Sequence, residues 1–196
     1  MRGYLFLISV FLISSISSQA ERPSLFLGMG GGFNSQIIYV KLVDEKVGGY
    51  RVGYHAGFFL RVSEGRFYQQ LNVDFLRKTH TIYIENDLDA TNNQIAWWGV
   101  DLPLVAGYKV ISSPVFDWRF FGGINTRIIG HVDDVDDFGA GKEDHVSPHW
   151  ILRMGTGFDI AFFYVDFNYG IGLNNTYNLV ARSQTHDLAL TMGFLF

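Results

Sequence analysis

The last ten residues of the chain alternate between two kinds of side chain. From Asp187 onward every second residue is large and apolar, namely Leu188, Leu190, Met192, Phe194 and Phe196. The residues between them are small or polar, with Leu195 as the exception. Side chains two positions apart lie on the same face of a β-strand, and a strand of roughly 9–11 residues is long enough to cross a bilayer when tilted. The segment therefore predicts a membrane-spanning strand that ends in an aromatic residue.

Seven further segments have the same two-residue period, which brings the predicted number of strands to eight. They cover residues 24–33, 51–62, 67–77, 95–110, 115–128, 150–160 and 163–173, and the terminal strand covers 187–196. The connections alternate between short ones at 63–66, 111–114 and 161–162 and long ones at 34–50, 78–94, 130–149 and 174–186. Short periplasmic turns and long external loops are typical of outer-membrane barrels. We predict an all-β fold, an eight-stranded antiparallel up-and-down transmembrane β-barrel.

The first 20 residues have the features of a secretory signal peptide. Arg2 precedes an apolar stretch at 4–16, and Ala20 completes a small-x-small cleavage site. Residues 21–196 then form one outer-membrane β-barrel domain, and we expect the bacterial outer membrane as its location after signal-peptide cleavage. The chain has no cysteine, which excludes disulfides and a lipid-anchored N-terminus. Removing Arg2 changes the formal net charge from −4 to −5, which argues against nucleic acid as a partner.

The same period assigns twelve charged residues to the inside of the barrel. The cations are Arg51, Arg61, Lys109, Arg119, Arg127 and Arg153, and the anions are Asp74, Asp101, Asp117, Asp159, Asp166 and Asp187. An unpaired charge in a narrow lumen of low dielectric is strongly unfavourable. We therefore predict a network of ion pairs across the barrel. Most strand glycines also face inward in this assignment, and only Gly31 and Gly122 face outward, which leaves room for large polar side chains.

Outward aromatic residues fall into two groups by their position along the strands. Tyr54, Trp98, Trp150 and Tyr169 lie near the outer end, and Phe67, Tyr108, Phe116, Trp118, Phe163 and Phe196 lie near the periplasmic end. Such groups are typical of the aromatic girdles at the two membrane interfaces.

No catalytic, cofactor-binding or metal-binding residue is predicted. The glycine run at 28–32 lacks the strand-turn-helix context of a nucleotide site. The acidic segment between Asp133 and Asp144 fails the spacing of an EF-hand, although cation binding there is left open. Ser183, His186 and Asp187 have the side chains of a hydrolase triad but are too close in sequence to converge. Of the six histidines, His55 is assigned to the lumen and the others to loops or their margins.

Four segments occur in an order that resembles a known family. They are GYHAGFF at 53–59, VDLPLVAGYK at 100–109, FFGGIN at 120–125 and DFNYGIGLNN at 166–175. The chain resembles the PorT-like outer-membrane β-barrel family of Bacteroidota. The resemblance implies an eight-stranded barrel in the outer membrane without catalytic residues, and the namesake of the family is an accessory of protein secretion.

The leading functional hypothesis is a small, non-enzymatic outer-membrane barrel with a structural or protein-interaction role. Its expected partners are outer-membrane lipid and, through the loops, other envelope proteins, and we expect a monomer. One alternative is a narrow channel or small-ligand carrier that uses the charged lumen. Two others are a lipid-modifying enzyme at the rim and a soluble lipocalin-type barrel, which would need its large apolar residues inside. No cofactor is expected.

Overall fold

The fold is a closed sheet of antiparallel strands. A computed structural model describes residues 23–40, 52–86, 89–134, 146–175 and 183–196 of the chain; the predicted signal peptide at 1–20 lies outside them. The eight strands of this part are β1 (Ser24–Val40), β2 (Val52–Glu64), β3 (Phe67–Asn86), β4 (Asp89–Ser112), β5 (Phe116–Asp134), β6 (His149–Ile160), β7 (Phe163–Gly172) and β8 (Ser183–Leu195). No helix with the length and apolar character of a membrane span occurs among the described residues.

Each strand pairs with its neighbours in sequence, and β8 closes the barrel by pairing with β1. The predicted eight-stranded up-and-down barrel is therefore confirmed. At the closure, Phe196 continues the pairing beyond β8. Its amide donates to the Leu27 carbonyl at 2.7 Å, and the Leu27 amide donates to the Phe196 carbonyl at 3.1 Å. The C-terminal residue thus forms part of the seam between the first and last strands.

At the turn end, two of the connections that the structure describes are two-residue turns. Gly65 and Arg66 link the paired residues Glu64 and Phe67, and Ala161 and Phe162 link Ile160 and Phe163. The first residue of each turn has a positive φ, 57° at Gly65 and 53° at Ala161, which is the sign required by the type II′ turns common in hairpins. The predicted turn at 161–162 is correct although it lacks glycine or asparagine. A non-glycine residue therefore holds the left-handed conformation there.

Five strands, β1, β3, β4, β5 and β8, extend several residues further at the loop end than the two-residue period predicts. The predicted loop at 78–94 is wrong, because β3 and β4 remain paired from Lys78 and Trp97 to Asn86 and Asp89. Strand β1 likewise runs through 34–40, and β8 begins at Ser183. Backbone hydrogen bonds hold such extensions together, and they do not require alternating side chains. We call this end of the barrel the loop end and the opposite end, which carries Ser24, Phe196 and the short turns, the turn end.

Each of the eight strands exposes some of the large apolar residues assigned to the outside, and the others are half-buried. Phe67 is 68% exposed and Phe75 is 57% exposed, whereas Arg61 and Arg119 are buried. Exposing such a continuous apolar surface to water would be energetically unfavourable, whereas exposing it to the hydrocarbon of a bilayer would not. The arrangement is the opposite of that in a soluble lipocalin-type barrel.

Aromatic side chains fill the lumen where glycines leave space. Four of them lie directly opposite an inward glycine of the next strand, in the pairs Phe59 with Gly28, Tyr68 with Gly107, Phe121 with Gly155 and Tyr164 with Gly193. A Cβ atom added to any of these glycines would collide with the facing ring or the backbone beside it. The inward assignment of the glycines is therefore confirmed, and the glycine run in β1 serves packing within the barrel.

Candidate functional site

The charged lumen is the candidate site, and its first cluster lies toward the turn end. Arg61 on β2 contacts Asp159 on β6, with 2.6 Å between Nη1 and Oδ2. Arg119 on β5 contacts the same Asp159 at 2.9 Å and Asp166 on β7 at 2.5 Å, both through Nη2. These four residues, which we call the turn-side cluster, have two positive and two negative charges. The cluster is neutral and joins four strands through the lumen.

Aromatic rings enclose the two arginines of the turn-side cluster. The guanidinium of Arg61 lies 4.9 Å from the ring centroid of Tyr68 and 5.2 Å from that of Phe59. Arg119 lies 5.6 Å from the Phe121 ring and also donates to the Tyr68 hydroxyl at 3.1 Å. Cation–π contacts stabilise a charge that has been removed from water. Charged groups and rings together fill the cross-section of the barrel at this level.

A second cluster lies toward the loop end and consists of Lys78, Asp101, Arg127 and Asp187. Arg127 contacts Asp101 at 2.8 Å and Asp187 at 2.6 Å, and Lys78 contacts Asp187 at 2.8 Å. Asn125 donates to Asp101 at 2.7 Å. This loop-side cluster is also neutral, with two charges of each sign.

Two further pairs complete the described lumen. Lys109 and Asp117 are 2.8 Å apart at the turn end, and Arg153 and Asp74 are 3.7 Å apart between the two clusters. The predicted network of ion pairs is therefore confirmed for the described residues, whereas Arg51 lies outside them. Lys78 was not predicted to face inward, because it falls in the predicted loop at 78–94. The adjacent Trp97 and Trp98 point to opposite faces, and the ring of the inward Trp97 lies 5.4 Å from Arg127.

A small polar cavity lies between the clusters. Its volume is about 40 Å³ and its lining includes Asn34, His55, Asp74 and Asn125, which gives room for only a few water molecules. His55 was correctly assigned to the lumen; its Nε2 lies 2.9 Å from the Thr191 hydroxyl and its Nδ1 lies 3.4 Å from the Asn34 amide nitrogen. The cavity is too small for a solute, and its lining also includes Arg153 and all four residues of the loop-side cluster.

The structure separates the residues considered as a hydrolase triad. His186 Nδ1 lies 2.6 Å from the hydroxyl of Tyr169, whereas the Asp187 carboxylate contacts Lys78 and Arg127 in the lumen. Consecutive strand residues point to opposite faces, so the two cannot act together, and the Ser183 side chain lies outside the described set. Among the described residues, no three histidine or acidic side chains converge as a metal site would require. The acidic segment at 135–144 lies outside the described residues.

The outer surface carries the two predicted groups of aromatic residues. At the turn end, Phe67 packs on Tyr108 with ring centroids 4.9 Å apart, and Phe163 packs on Phe194 at 6.0 Å. At the loop end, Tyr54 contacts Trp98 edge to face at 6.0 Å, and the guanidinium of Arg77 lies 5.2 Å from the centroid of the Trp98 ring. Both groups are at the positions expected of interfacial girdles.

Comparison with solved structures finds bacterial proteins that align with most of this chain. Neisserial surface protein A is 13% identical, with 90% of this chain and 100% of that chain aligned and a TM-score of 0.52. OprG from Pseudomonas aeruginosa is 13% identical, with 92% and 99% aligned and a TM-score of 0.49. Ail from Yersinia pestis is 9% identical, with 88% and 99% aligned and a TM-score of 0.49. The similarity to Neisserial surface protein A concerns the fold alone. No protein-family profile and no curated protein sequence matches the chain.

Proposed function

We propose that the protein is a small, non-enzymatic outer-membrane barrel whose lumen is closed and whose role is structural or protein-binding. The observation that carries the proposal is the direct contact of Arg61 and Asp159 across the lumen. A barrel of eight strands has an interior that side chains can fill. Here opposed charges and aromatic rings fill it, while the exterior is apolar. The ends of such a barrel, and not a pore through it, would therefore carry the function.

The β3–β4 hairpin supports a role in protein binding. Among the β3 side chains that the structure describes, Phe75 is the last outward apolar one, yet pairing with β4 continues to Asn86 and Asp89. At a rise of about 3.3 Å per residue and a tilt of about 40°, the extension reaches roughly 25 Å beyond the apolar band. A paired arm of this length would present backbone and side chains to another envelope protein outside the bilayer.

The proposed location and family follow from the sequence. The segment at 1–20 would direct export and be removed, and the ordered motifs between 53 and 175 resemble PorT-like barrels of Bacteroidota. By analogy with the namesake of that family, the partner of the hairpin would be a component of a protein-secretion apparatus. We propose that the barrel itself is a monomer, because β8 pairs with β1 and the described barrel wall between the turn end and Arg77 is closed.

Fractionation of the native membrane tests the location. The protein should appear in the outer membrane and migrate differently on a gel with and without heating, because a closed barrel resists detergent unfolding. A protein found soluble in the periplasm would refute the proposal.

A narrow channel is the second candidate, and the polar cavity of about 40 Å³ favours it. Recording from planar bilayers that contain the purified protein distinguishes the two. The closed barrel should give no unitary conductance steps. Stable steps that change when Asp159 is replaced by Asn would establish the channel instead.

Photo-crosslinking tests the protein-binding role. A photoreactive amino acid at position 86, at the tip of the β3–β4 hairpin, should yield a defined adduct in native cells. The same probe at position 66 in the β2–β3 turn is the matched control for the opposite end of the barrel. Equal adducts from both positions, or none from position 86, would contradict a role for the hairpin.

A further inference from the structure

Arg77 occupies a chemical environment unlike that of the lumenal cations. Its cross-strand neighbours are Tyr54 on β2 and Trp98 on β4, and both are exposed on the outer surface. Directly opposed residues of paired strands share a face, so Arg77 also points outward, whereas the adjacent Lys78 points into the lumen. Among the outward strand side chains that the structure describes, the charged ones are Glu64, next to the β2–β3 turn, and Arg77, near the loop end.

The position of Arg77 is the edge of the apolar band. Phe67, Leu71, Val73 and Phe75 precede it on the outward face of β3. Ten residues separate Phe67 from Arg77, which corresponds to about 25 Å along the membrane normal for a strand tilted by about 40°. This distance matches the height of the apolar band of such barrels, about 25 Å. Arg77 therefore lies where hydrocarbon ends and lipid headgroups begin.

The side chain of Arg77 is held by an aromatic platform and not by a carboxylate. Its guanidinium stacks over the Trp98 ring, with 5.2 Å from Cζ to the centroid, and Tyr54 supports that ring from the side. Its Nε is buried without a hydrogen-bond partner among the described groups. All ion pairs found between described residues lie in the lumen and leave Arg77 out. The planar donors of a guanidinium match the oxygens of a phosphate in a bidentate arrangement.

We propose that Arg77, stacked on Trp98, binds a phosphate group of a lipid headgroup in the outer leaflet. The proposal rests on the proposed function, since it requires an outer membrane and external loops. The charge of Arg77 identifies the occupant. A cation with no carboxylate partner among the described groups, at the edge of an apolar surface, is complementary to an anionic headgroup, and the neighbouring rings would pack on the sugar or acyl portion of that lipid. The lipid that fits is a phosphorylated glycolipid.

Native mass spectrometry of the full chain in detergent, titrated with diphosphoryl lipid A, tests the proposal. Loss of one charge-assisted contact in Arg77→Gln should weaken binding about tenfold. Arg77→Lys should have an intermediate effect, because lysine keeps the charge but loses the planar pair of donors. The matched control is Arg66→Gln, the same substitution in the exposed β2–β3 turn at the opposite end, which should leave binding unchanged.

Headgroup variation separates recognition of phosphate from general apolar contact. The wild-type protein should bind diphosphoryl lipid A more tightly than a synthetic lipid A analogue without phosphates, and Arg77→Gln should bind the two equally. Free inorganic phosphate should not compete, since the platform also contacts the lipid. Equal binding of both lipids by the wild type, an equal loss in Arg66→Gln, or unchanged binding in Arg77→Gln would overturn the site. None of these results would change the outcome of the outer-membrane fractionation, so the proposed function would still stand.

Discussion

Arg61 and Asp159 lie on opposite walls of the barrel and form an ion pair of 2.6 Å. Three strands separate β2 from β6 in either direction around the sheet, so the pair spans the lumen directly. Arg119 joins the same carboxylate at 2.9 Å. A single aspartate therefore connects two arginines that are rooted in different parts of the sheet.

Replacing Asp159 by Asn should destabilise the barrel strongly. Arg61 would lose its carboxylate, and Arg119 would keep only Asp166, while both guanidinium groups remain buried. Removing one partner of a buried ion pair typically costs about 3–5 kcal/mol. Unfolding by denaturant in lipid vesicles, followed by tryptophan fluorescence, measures the change. Asp117→Asn is the control: its pair with Lys109 is more exposed, and a loss as large as that of Asp159→Asn would contradict the central role of the turn-side cluster.

Replacing each of two adjacent glycines of β5 by alanine should have very different effects on stability. A Cβ at Gly123 would lie 2.6 Å from the Cα of Val105 and still closer to the Leu104 carbonyl, which are backbone atoms that cannot move aside. At Gly122, which faces outward, the nearest atom is 3.7 Å away. We expect Gly123→Ala to lower the free energy of unfolding by about 1–3 kcal/mol and Gly122→Ala to leave it within about 0.5 kcal/mol. Equal values from the same vesicle assay would be inconsistent with the inward and outward assignment.

Glycine at position 161 should stabilise the protein. Ala161 has a φ of 53°, and the left-handed region costs a residue with a Cβ about 1–2 kcal/mol. Glycine relieves this strain but has a more flexible unfolded state, so a net gain of about 0.5–1 kcal/mol is expected. The comparison is Ala106→Gly on the outward face of β4, which should lower stability by a similar amount. A loss of stability in Ala161→Gly would show that the turn is not strained.

Deletion of Phe196 should weaken closure of the barrel. The residue exchanges two backbone hydrogen bonds with Leu27, at 2.7 and 3.1 Å, and each contributes about 0.5–1.5 kcal/mol. The deletion should therefore reduce the midpoint of heat-induced unfolding on a gel. Phe196→Leu retains the backbone bonds and should have a smaller effect. If the two variants behave alike, the aromatic ring and not the backbone pairing is the important part of this residue.

The two-residue period predicts the part of the fold that the bilayer controls. Hydrocarbon on one side and a narrow lumen on the other force a choice of face at each position, so the facing of residues such as Phe58 and Arg119 is readable from sequence. Beyond the bilayer, this constraint on which residues occupy each face no longer acts. Lys78 and its pairing with Asp187 were missed for this reason, since the backbone pairing that extends β3 leaves no alternation in the sequence.

The ion-pair partners within the lumen could not be predicted from the sequence either. The residue type gives the sign of each charge and the two-residue period gives its face. The relative shift of the strands in the closed sheet decides which charged groups meet. Arg127 contacts Asp101 on the neighbouring strand and Asp187 across the lumen, and only the first is close in register. A register shift in the pairing of β4 with β5 between Trp98 and Gly99 likewise has no clear sequence signal. The outward position of Arg77 follows from the two-residue period only once β3 is known to continue past this residue.

The ion pairs have a consequence for how the barrel is assembled. Every charged group that β1 to β4 place in the described lumen finds its partner on β5 to β8: Arg61, Asp74, Lys78, Asp101 and Lys109 all pair in this way. Strands β1 to β4 alone contain no native partner for any of these five groups, whereas β5 to β8 also pair Arg119 with Asp159 and Asp166. An intermediate in which only β1 to β4 have inserted would hold five charges without their native partners against lipid, so folding should proceed as one cooperative event, and the two halves should not be separable into independent fragments.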